Sequence, residues 1–163
     1  DDFYANDQII SNVNKIFTDD PSLEACYADL VYVDRHKAQK TIRYFKSSKF
    51  VQGMFAKGWN PPHPTFFVRR SIYNKFGLYN LNYSIASDID LMSRFLEIHK
   101  IKTKYVPEIW VKMRLGGTTN KSLKNIFKQN QEILKSFRKQ GLRVNTISFL
   151  INKIINKYLI TQI

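Results

Sequence analysis

The sequence predicts an α/β fold, because segments with the composition of buried strands alternate with segments of helical periodicity. The clearest strand is 28–34, which is rich in the β-branched and aromatic residues typical of a buried strand. The clearest early helix is 6–17, where Ile9, Val13 and Ile16 recur at the spacing that places them on one helix face. A chain of 163 residues, 44% of them hydrophobic, is long enough for one domain with a substantial core.

The other predicted elements follow from local signals along the chain. Asp19-Asp20-Pro21 ends the first helix, 41–45 can pair with the strand at 28–34, and 46–60 is left open as loop or short helix. A stiff proline-rich connector at 59–64 comes next, followed by a strand at 65–68 and one or two helical turns that stop at Gly77. The remaining predicted elements are a helix at 87–99, strands at 102–106 and 109–113 that flank Pro107, and helices before and after Gly141. In the helix at 87–99, Ser87 suits the N-cap, and Asp90 three residues later resembles a capping box.

The charge is unevenly distributed along the chain. The net charge is +13, yet residues 1–34 hold eight acidic groups and one basic group, Lys15, so the remainder carries +20. Such an excess attracts anions, which include nucleic acid, anionic lipid and the phosphates of a small ligand. Nucleic acid is the disfavoured partner, because no helix-turn-helix, zinc-finger spacing or RNP-like aromatic pair accompanies the charge.

Cysteine content and hydropathy bear on the compartment. The single cysteine, Cys26, excludes an internal disulfide and a multi-cysteine zinc site, so a reducing cytoplasm is expected. No apolar run reaches the roughly 18 residues of a spanning helix, so we expect a soluble or peripheral protein. The chain opens with Asp1-Asp2 instead of methionine, and we interpret it as a fragment.

Four features suggest chemistry beyond packing: Asp1-Asp2, the PPHP turn at 61–64, the SDID helix start at 87–90, and the RLGGTTN loop at 114–120. Asp88 and Asp90 stand about 200° apart around a helix, so their carboxylates cannot share one face. We therefore expect only one of them to face a cleft, and the capping position of Asp90 favours a structural role for Asp90. The alternative for both is a favourable interaction with the positive end of the helix dipole.

Taken in order, the phrases DDFYAND, ADLVYVD, PPHPTFFVRRSIYNKFGLYN, ASDIDLMSR and YVPEIWVKMRLGGTTN span nearly the whole chain. Together they resemble the C-terminal half of the bacterial family 2 glycosyltransferases, inverting enzymes of the GT-A fold. The resemblance implies the acceptor-side portion of that fold over 1–120, without the N-terminal βαβ half that binds the nucleotide. Residues 121–163 would form a basic amphipathic helical tail, and the YVPEIW phrase would lie in a hairpin.

The resemblance also implies an activity and its site. The activity is transfer of a sugar from a nucleotide-diphosphate donor to a saccharide or lipid-linked acceptor, in cell-surface polysaccharide or lipopolysaccharide synthesis. Asp88 matches the catalytic aspartate, and Asp2, with Asp1, matches the acidic motif that holds Mg²⁺ or Mn²⁺. Arg114, Gly116 and Gly117 match the loop that closes over the donor diphosphate. In this chain Ser87 stands where many relatives have glutamate.

Several alternatives stay open. His63 can face the acceptor or a metal, but lone histidines are more often structural, and Trp59 can stack on a sugar or pack in the core. Asp1-Asp2 can be a solvated terminus, and the glycine loop an ordinary turn. The tail can lie on an anionic membrane at the inner face of the cell membrane or pack on the domain or a partner subunit. The alternative function is a non-catalytic basic module that binds nucleic acid or anionic membrane.

Overall fold

A computed structural model describes residues 2–115 and 122–159 of the chain, with side chains up to residue 156. The described residues form one mixed sheet of five strands, together with five α-helices. The strands are β1 (Phe3–Tyr4), β2 (Ala25–Val33), β3 (Thr41–Phe45), β4 (Phe67–Val68) and β5 (Thr103–Arg114). The helices are α1 (Ile9–Asp19), α2 (Arg70–Phe76), α3 (Ser87–Ser93), α4 (Leu123–Lys139) and α5 (Thr146–Leu159). The prediction of an α/β fold is therefore confirmed.

Strand β2 is the centre of the sheet. It pairs in parallel with β5 on one side and antiparallel with β3 and β4 on the other, while β1 adds to the outer edge of β5. Side chains of a strand alternate between faces, and both faces of β2 are buried. Tyr27 belongs to the core beneath α2–α5, whereas Cys26 and Leu30 belong to the core beneath α1. Both the predicted buried strand and its pairing with 41–45 are confirmed.

Strand β5 corrects the prediction of two strands flanking Pro107, and with it the expected hairpin. It runs unbroken from Thr103 to Arg114 beside β2. The pairing passes from Ala28 opposite Val106 to Asp29 opposite Ile109, so Pro107 and Glu108 bulge out of the ladder. A proline has no amide hydrogen to give to a ladder, and a bulge is a position that tolerates it.

The start of α3 corrects the predicted capping arrangement. Ala86, not Ser87, is the residue at the N-cap, and no side chain caps the helix there. The amides of the preceding loop instead donate to the carboxylate of Glu132 on α4. Asp90 bonds to α4 and not to the backbone of its own first turn. A long-range contact has therefore replaced the local one that the sequence suggested.

Helices α4 and α5 pack on the domain. Ile133 and Phe137 of α4 and Phe149 of α5 are buried in the same core as α3. Gly58, with φ +75°, lies where α5 crosses the loop before the prolines, and a Cβ on it would meet the Lys153 backbone nitrogen at 2.9 Å. Glycine is thus required for this close approach. Within the described ranges, no helix combines the length and hydrophobicity that crossing a membrane requires.

Candidate functional site

The PPHP turn presents His63 beside the central strand. Residues His63–Thr65 form one turn of 3-10 helix directly after Pro62, whose φ of −63° is the value that its ring imposes. The buried Thr65 hydroxyl accepts from the Ala28 amide at 3.2 Å and lies 2.8 Å from the Ala28 carbonyl. These bonds occupy the edge of β2 between its partners β4 and β3. The turn is therefore anchored at Thr65, while the His63 side chain stays half exposed.

Asp88 is held at the start of α3 by contacts on both sides of it. Before it, the Glu132 carboxylate accepts from the amides of Ile85 and Ala86 at 2.8 and 3.0 Å and from the Ser84 hydroxyl at 2.9 Å. After it, the amide of Ile89 donates to Asp88 Oδ1 at 2.8 Å. One carboxylate oxygen of Asp88 is thereby fixed, and the other is left to face outward.

That second oxygen meets the imidazole. Asp88 Oδ2 lies 3.2 Å from Nδ1 of His63, with 26% and 51% of the two side chains exposed. A histidine whose Nδ1–H donates to a carboxylate keeps its Nε2 available to a ligand, and its ring orientation is fixed. A carboxylate at this position can also accept a proton directly from a hydroxyl within hydrogen-bond reach. The two residues that the sequence suggested separately are thus brought together.

Asp90 has a different environment from Asp88, as their spacing on the helix predicts. It is 5% exposed, and its Oδ1 accepts from the Ser136 hydroxyl at 2.6 Å and from the Gln140 side-chain amide at 3.0 Å. The Arg94 guanidinium lies 3.8 Å from its other oxygen. Asp90 therefore fastens α3 to α4.

Asp2 and Arg114 lie at another part of the sheet, where β1 pairs with β5. The Arg114 guanidinium is 5.6 Å from the centre of the ring of Phe3, the residue that follows Asp2, and it donates to the Arg35 carbonyl at 3.1 Å. Both Asp2 and Arg114 are exposed. β1 lies on the side of β5 away from β2, whereas the His63 turn lies along the opposite edge of β2. Within the described residues, no hydrogen bond or ion pair joins the two parts.

Three of the predicted site residues, Asp1, Gly116 and Gly117, lie outside the described residues. Among the residues that are described, no three carboxylate, histidine or cysteine side chains cluster in a way that could hold a metal ion. Two surface hollows, of about 380 and 570 Å³, lie beside α1 and beside Arg94, and neither is lined by Asp2, His63 or Asp88.

Trp59 lies in the core. It is 8% exposed and packs against the rings of Tyr27, Phe50 and Phe55 at centroid distances of 6.0 to 6.2 Å. Of the two uses that the sequence left open for this ring, packing is the one that the structure displays. Little of its face is available to a sugar.

The sequence analysis did not identify Glu132, whose carboxylate binds the loop before Asp88. Burial raises the pKa of its carboxyl, but the hydrogen bonds from Ile85, Ser84 and Ala86 outweigh burial and hold that pKa below its ordinary value. The carboxylate is therefore charged as it binds the loop. One feature of the sequence could have pointed to a role for Glu132. It is the only acidic residue in 121–163, a segment with nine basic residues.

Asp29 was also missed. It is fully buried in β2, where it accepts from the Tyr44 and Tyr105 hydroxyls at 2.5 and 2.8 Å and from the Ser47 amide at 2.7 Å. Burial raises the pKa of Tyr44 to about 12, and its hydrogen bond to Asp29 acts in the same direction. The signal was a carboxylate inside an apolar strand, which needs hydrogen-bond partners when it is buried.

No protein-family model matches the chain, and no curated protein matches it.

Proposed function

We propose that this chain is the acceptor-side part of an inverting glycosyltransferase that moves a sugar from a nucleotide-diphosphate donor to an acceptor hydroxyl. The observation that carries the proposal is the partly exposed carboxylate of Asp88 at the start of α3, where Oδ1 accepts from the Ile89 amide and Oδ2 lies 3.2 Å from His63 Nδ1. The ordered phrases of the sequence supply the reaction class, and the mixed α/β sheet is compatible with it.

In the proposed reaction, Asp88 is the general base. As the acceptor oxygen attacks the anomeric carbon from the face opposite the diphosphate, Asp88 takes the hydroxyl proton and the configuration inverts. His63 lies on the acceptor side, where its imidazole orients the Asp88 carboxylate. Asp90 takes no part in proton transfer, because it is buried, with its oxygens directed at α4 and at Arg94.

The leaving diphosphate requires positive charge on the donor side. In the proposal Asp2, together with Asp1, holds Mg²⁺ or Mn²⁺, which neutralises the charge that develops on the phosphate oxygens. Arg114 adds a guanidinium, and its position beside Phe3 supports this role because it places the cation at the same strand end as Asp2. Gly116 and Gly117 would contribute backbone amides.

The proposed substrates are a nucleotide sugar and a saccharide or lipid-linked acceptor of cell-surface polysaccharide or lipopolysaccharide synthesis. The proposed location is the cytoplasm, at the inner face of the cell membrane. Nucleic acid is not part of the proposal.

The test is release of nucleoside diphosphate by the full-length protein, measured with Mn²⁺ over a panel of nucleotide sugars and surface-glycan acceptors. We expect Asp88→Asn to lower turnover about 10²- to 10⁴-fold, since that is the usual contribution of a general base, and to leave donor affinity nearly unchanged. His63→Gln should lower turnover by less, because it removes the neighbour of the base and not the base.

Asp19→Asn is the matched control, because Asp19 is an exposed carboxylate at the end of α1. It should leave turnover unchanged. Unchanged turnover in Asp88→Asn would exclude Asp88 as the base, and an active protein indifferent to chelation of divalent cations would exclude the metal.

A further inference from the structure

The larger of the two surface hollows is bordered by three segments of the chain. These are the loop that follows α2, the helix α3 with the π-helical turn Arg94–Ile98 that continues it, and the end of α4. Its volume of about 570 Å³ falls within the range of small-molecule sites, which are mostly about 300–1,000 Å³. The hollow is therefore large enough for a small ligand.

The loop after α2 gives the hollow an apolar wall. Residues 76–87 include no charged residue, although 24% of the chain is charged. In this loop Leu78, Tyr79 and Leu81 are 71%, 49% and 93% exposed. Leu78 lines the hollow, and so does Ile98, which is 39% exposed. Exposed apolar side chains at a concave surface are typical of a place where the apolar part of a ligand leaves water.

Arg94 fixes the position of this wall. Its guanidinium donates to the carbonyls of Phe76 and Gly77 and, at 2.7 Å, to the carbonyl of Leu78. Because the guanidinium is planar, its donors hold these carbonyls in a fixed arrangement. The loop is thus ordered at Leu78 before any ligand arrives, which lowers the entropy that binding would cost.

The charges that line the hollow favour an anion. The charge of Arg94 is opposed by Asp90, at 3.8 Å, whereas Lys139 is exposed and has no ion-pair partner among the described residues. Burial holds the pKa of His99 below its ordinary value, and the charges of Arg94 and Lys75 act in the same direction. The imidazole is therefore neutral at pH 7, and the ammonium of Lys139 is the charge available to a ligand.

We propose that this hollow binds an anionic amphiphile, a molecule with one apolar chain and one anionic head. The chain contacts Leu78 and Ile98, and the head meets the Lys139 ammonium. A concave site of this volume takes a single molecule and not the face of a bilayer. The inference goes beyond the glycosyltransferase function and does not depend on it, since Asp90 lines the hollow and Asp88 points about 200° away around the helix.

The experiment is isothermal titration calorimetry with decyl phosphate below its micelle-forming concentration, and with decanol and inorganic phosphate as its two halves. We expect decyl phosphate to bind at least about tenfold more tightly than either half, because chain and head both contribute. Lys139→Gln should weaken binding of decyl phosphate about fivefold to tenfold, because the head loses its cation. Leu78→Asn should weaken it about threefold to tenfold, because less apolar surface leaves water.

Each variant has a matched control. Lys135→Gln removes an exposed lysine one turn earlier on α4, and Leu81→Asn removes the most exposed leucine of the same loop; neither residue lines the hollow. Both controls should bind decyl phosphate as the wild type does. Since Lys139 and Leu78 are exposed, thermal unfolding followed by circular dichroism should be unchanged in their variants, which separates lost binding from lost folding.

Four results would overturn the proposal. These are no binding of decyl phosphate, equally tight binding of one of its halves, wild-type binding by both Lys139→Gln and Leu78→Asn, and equal weakening by Lys135→Gln and Lys139→Gln. The last result would mean that the charge of the whole helix attracts the anion. Turnover plays no part in the measurement, so its failure is separate from a failure of the proposed transferase activity.

Discussion

Asp88 and Asp90 stand two residues apart on one helix, yet the fold uses them in opposite ways. Asp90 is buried, with its oxygens facing Ser136, Gln140 and Arg94. Asp88 is partly exposed, and among the described residues its outward oxygen contacts His63. A rotation of about 200° between them separates a carboxylate that joins two helices from one that is available to a ligand. Chemical type alone therefore does not identify a functional acid, whereas its partners do.

The largest effect on stability is expected from Asp90→Ala. The substitution leaves the buried Ser136 hydroxyl without its acceptor and removes the carboxylate that faces the Arg94 guanidinium. The Gln140 amide loses one acceptor and keeps two, the backbone carbonyl at position 90 and the Ser136 hydroxyl. We expect a loss of about 3 kcal/mol in the free energy of unfolding, since each buried unpaired polar group costs about 1–3 kcal/mol. Urea unfolding followed by circular dichroism measures it. A loss of less than about 1 kcal/mol would mean that this network does not hold α3 to α4.

A smaller effect is expected from Glu132→Gln, which tests how the loop before Asp88 is held. The neutral side chain retains one oxygen as an acceptor for the amides of Ile85 and Ala86 and loses the charge. We expect a loss of about 1–2 kcal/mol at neutral pH, as hydrogen bonds to charged groups contribute roughly 1.5–3 kcal/mol.

The pH dependence identifies the charge as the cause. Because the folded pKa of Glu132 lies below its ordinary value of 4.5, its carboxylate stabilises the fold fully above that value. This contribution is lost as the pH falls through the folded pKa. The difference in unfolding free energy between wild type and Glu132→Gln should therefore shrink below pH 4.5. A difference that stays constant with pH would assign the effect to shape and not to charge.

Most of the fold could be predicted because its signals are local. The apolar residues of 6–17 and the composition of 28–34 predict α1 and β2, and both exist. The prediction was wrong where a distant partner overrode a local signal. Pro107 suggested a break between strands, yet pairing with β2 continues on both sides of it. Pairing between segments that are distant in the sequence produces no periodic pattern in either segment, so it could not be predicted from the sequence.

In the candidate site, too, local features could be predicted from the sequence, whereas contacts between distant segments could not. Asp88 and His63 could be singled out from their own neighbours in the sequence, and the opposite directions of Asp88 and Asp90 follow from helix geometry. The 3.2 Å contact between Asp88 and His63 could not be predicted, because it depends on Thr65 anchoring one turn to β2 and Glu132 anchoring the other loop to α4. Trp59 lies in the core for a comparable reason, since Tyr27 of β2 packs against it together with Phe50 and Phe55 of its own segment.

The smallest effect on stability is expected from Asp88→Asn. Asparagine keeps an oxygen for the Ile89 amide, and the lost charge at a helix start contributes about 0.3–1 kcal/mol when exposed. We therefore expect a change of less than about 1 kcal/mol in urea unfolding, against about 3 kcal/mol for Asp90→Ala. A residue whose removal abolishes turnover while the fold keeps its stability acts on the substrate. A loss equal to that of Asp90→Ala would instead make the Asp88–His63 contact a structural ion pair, and the contrast between the two carboxylates would disappear.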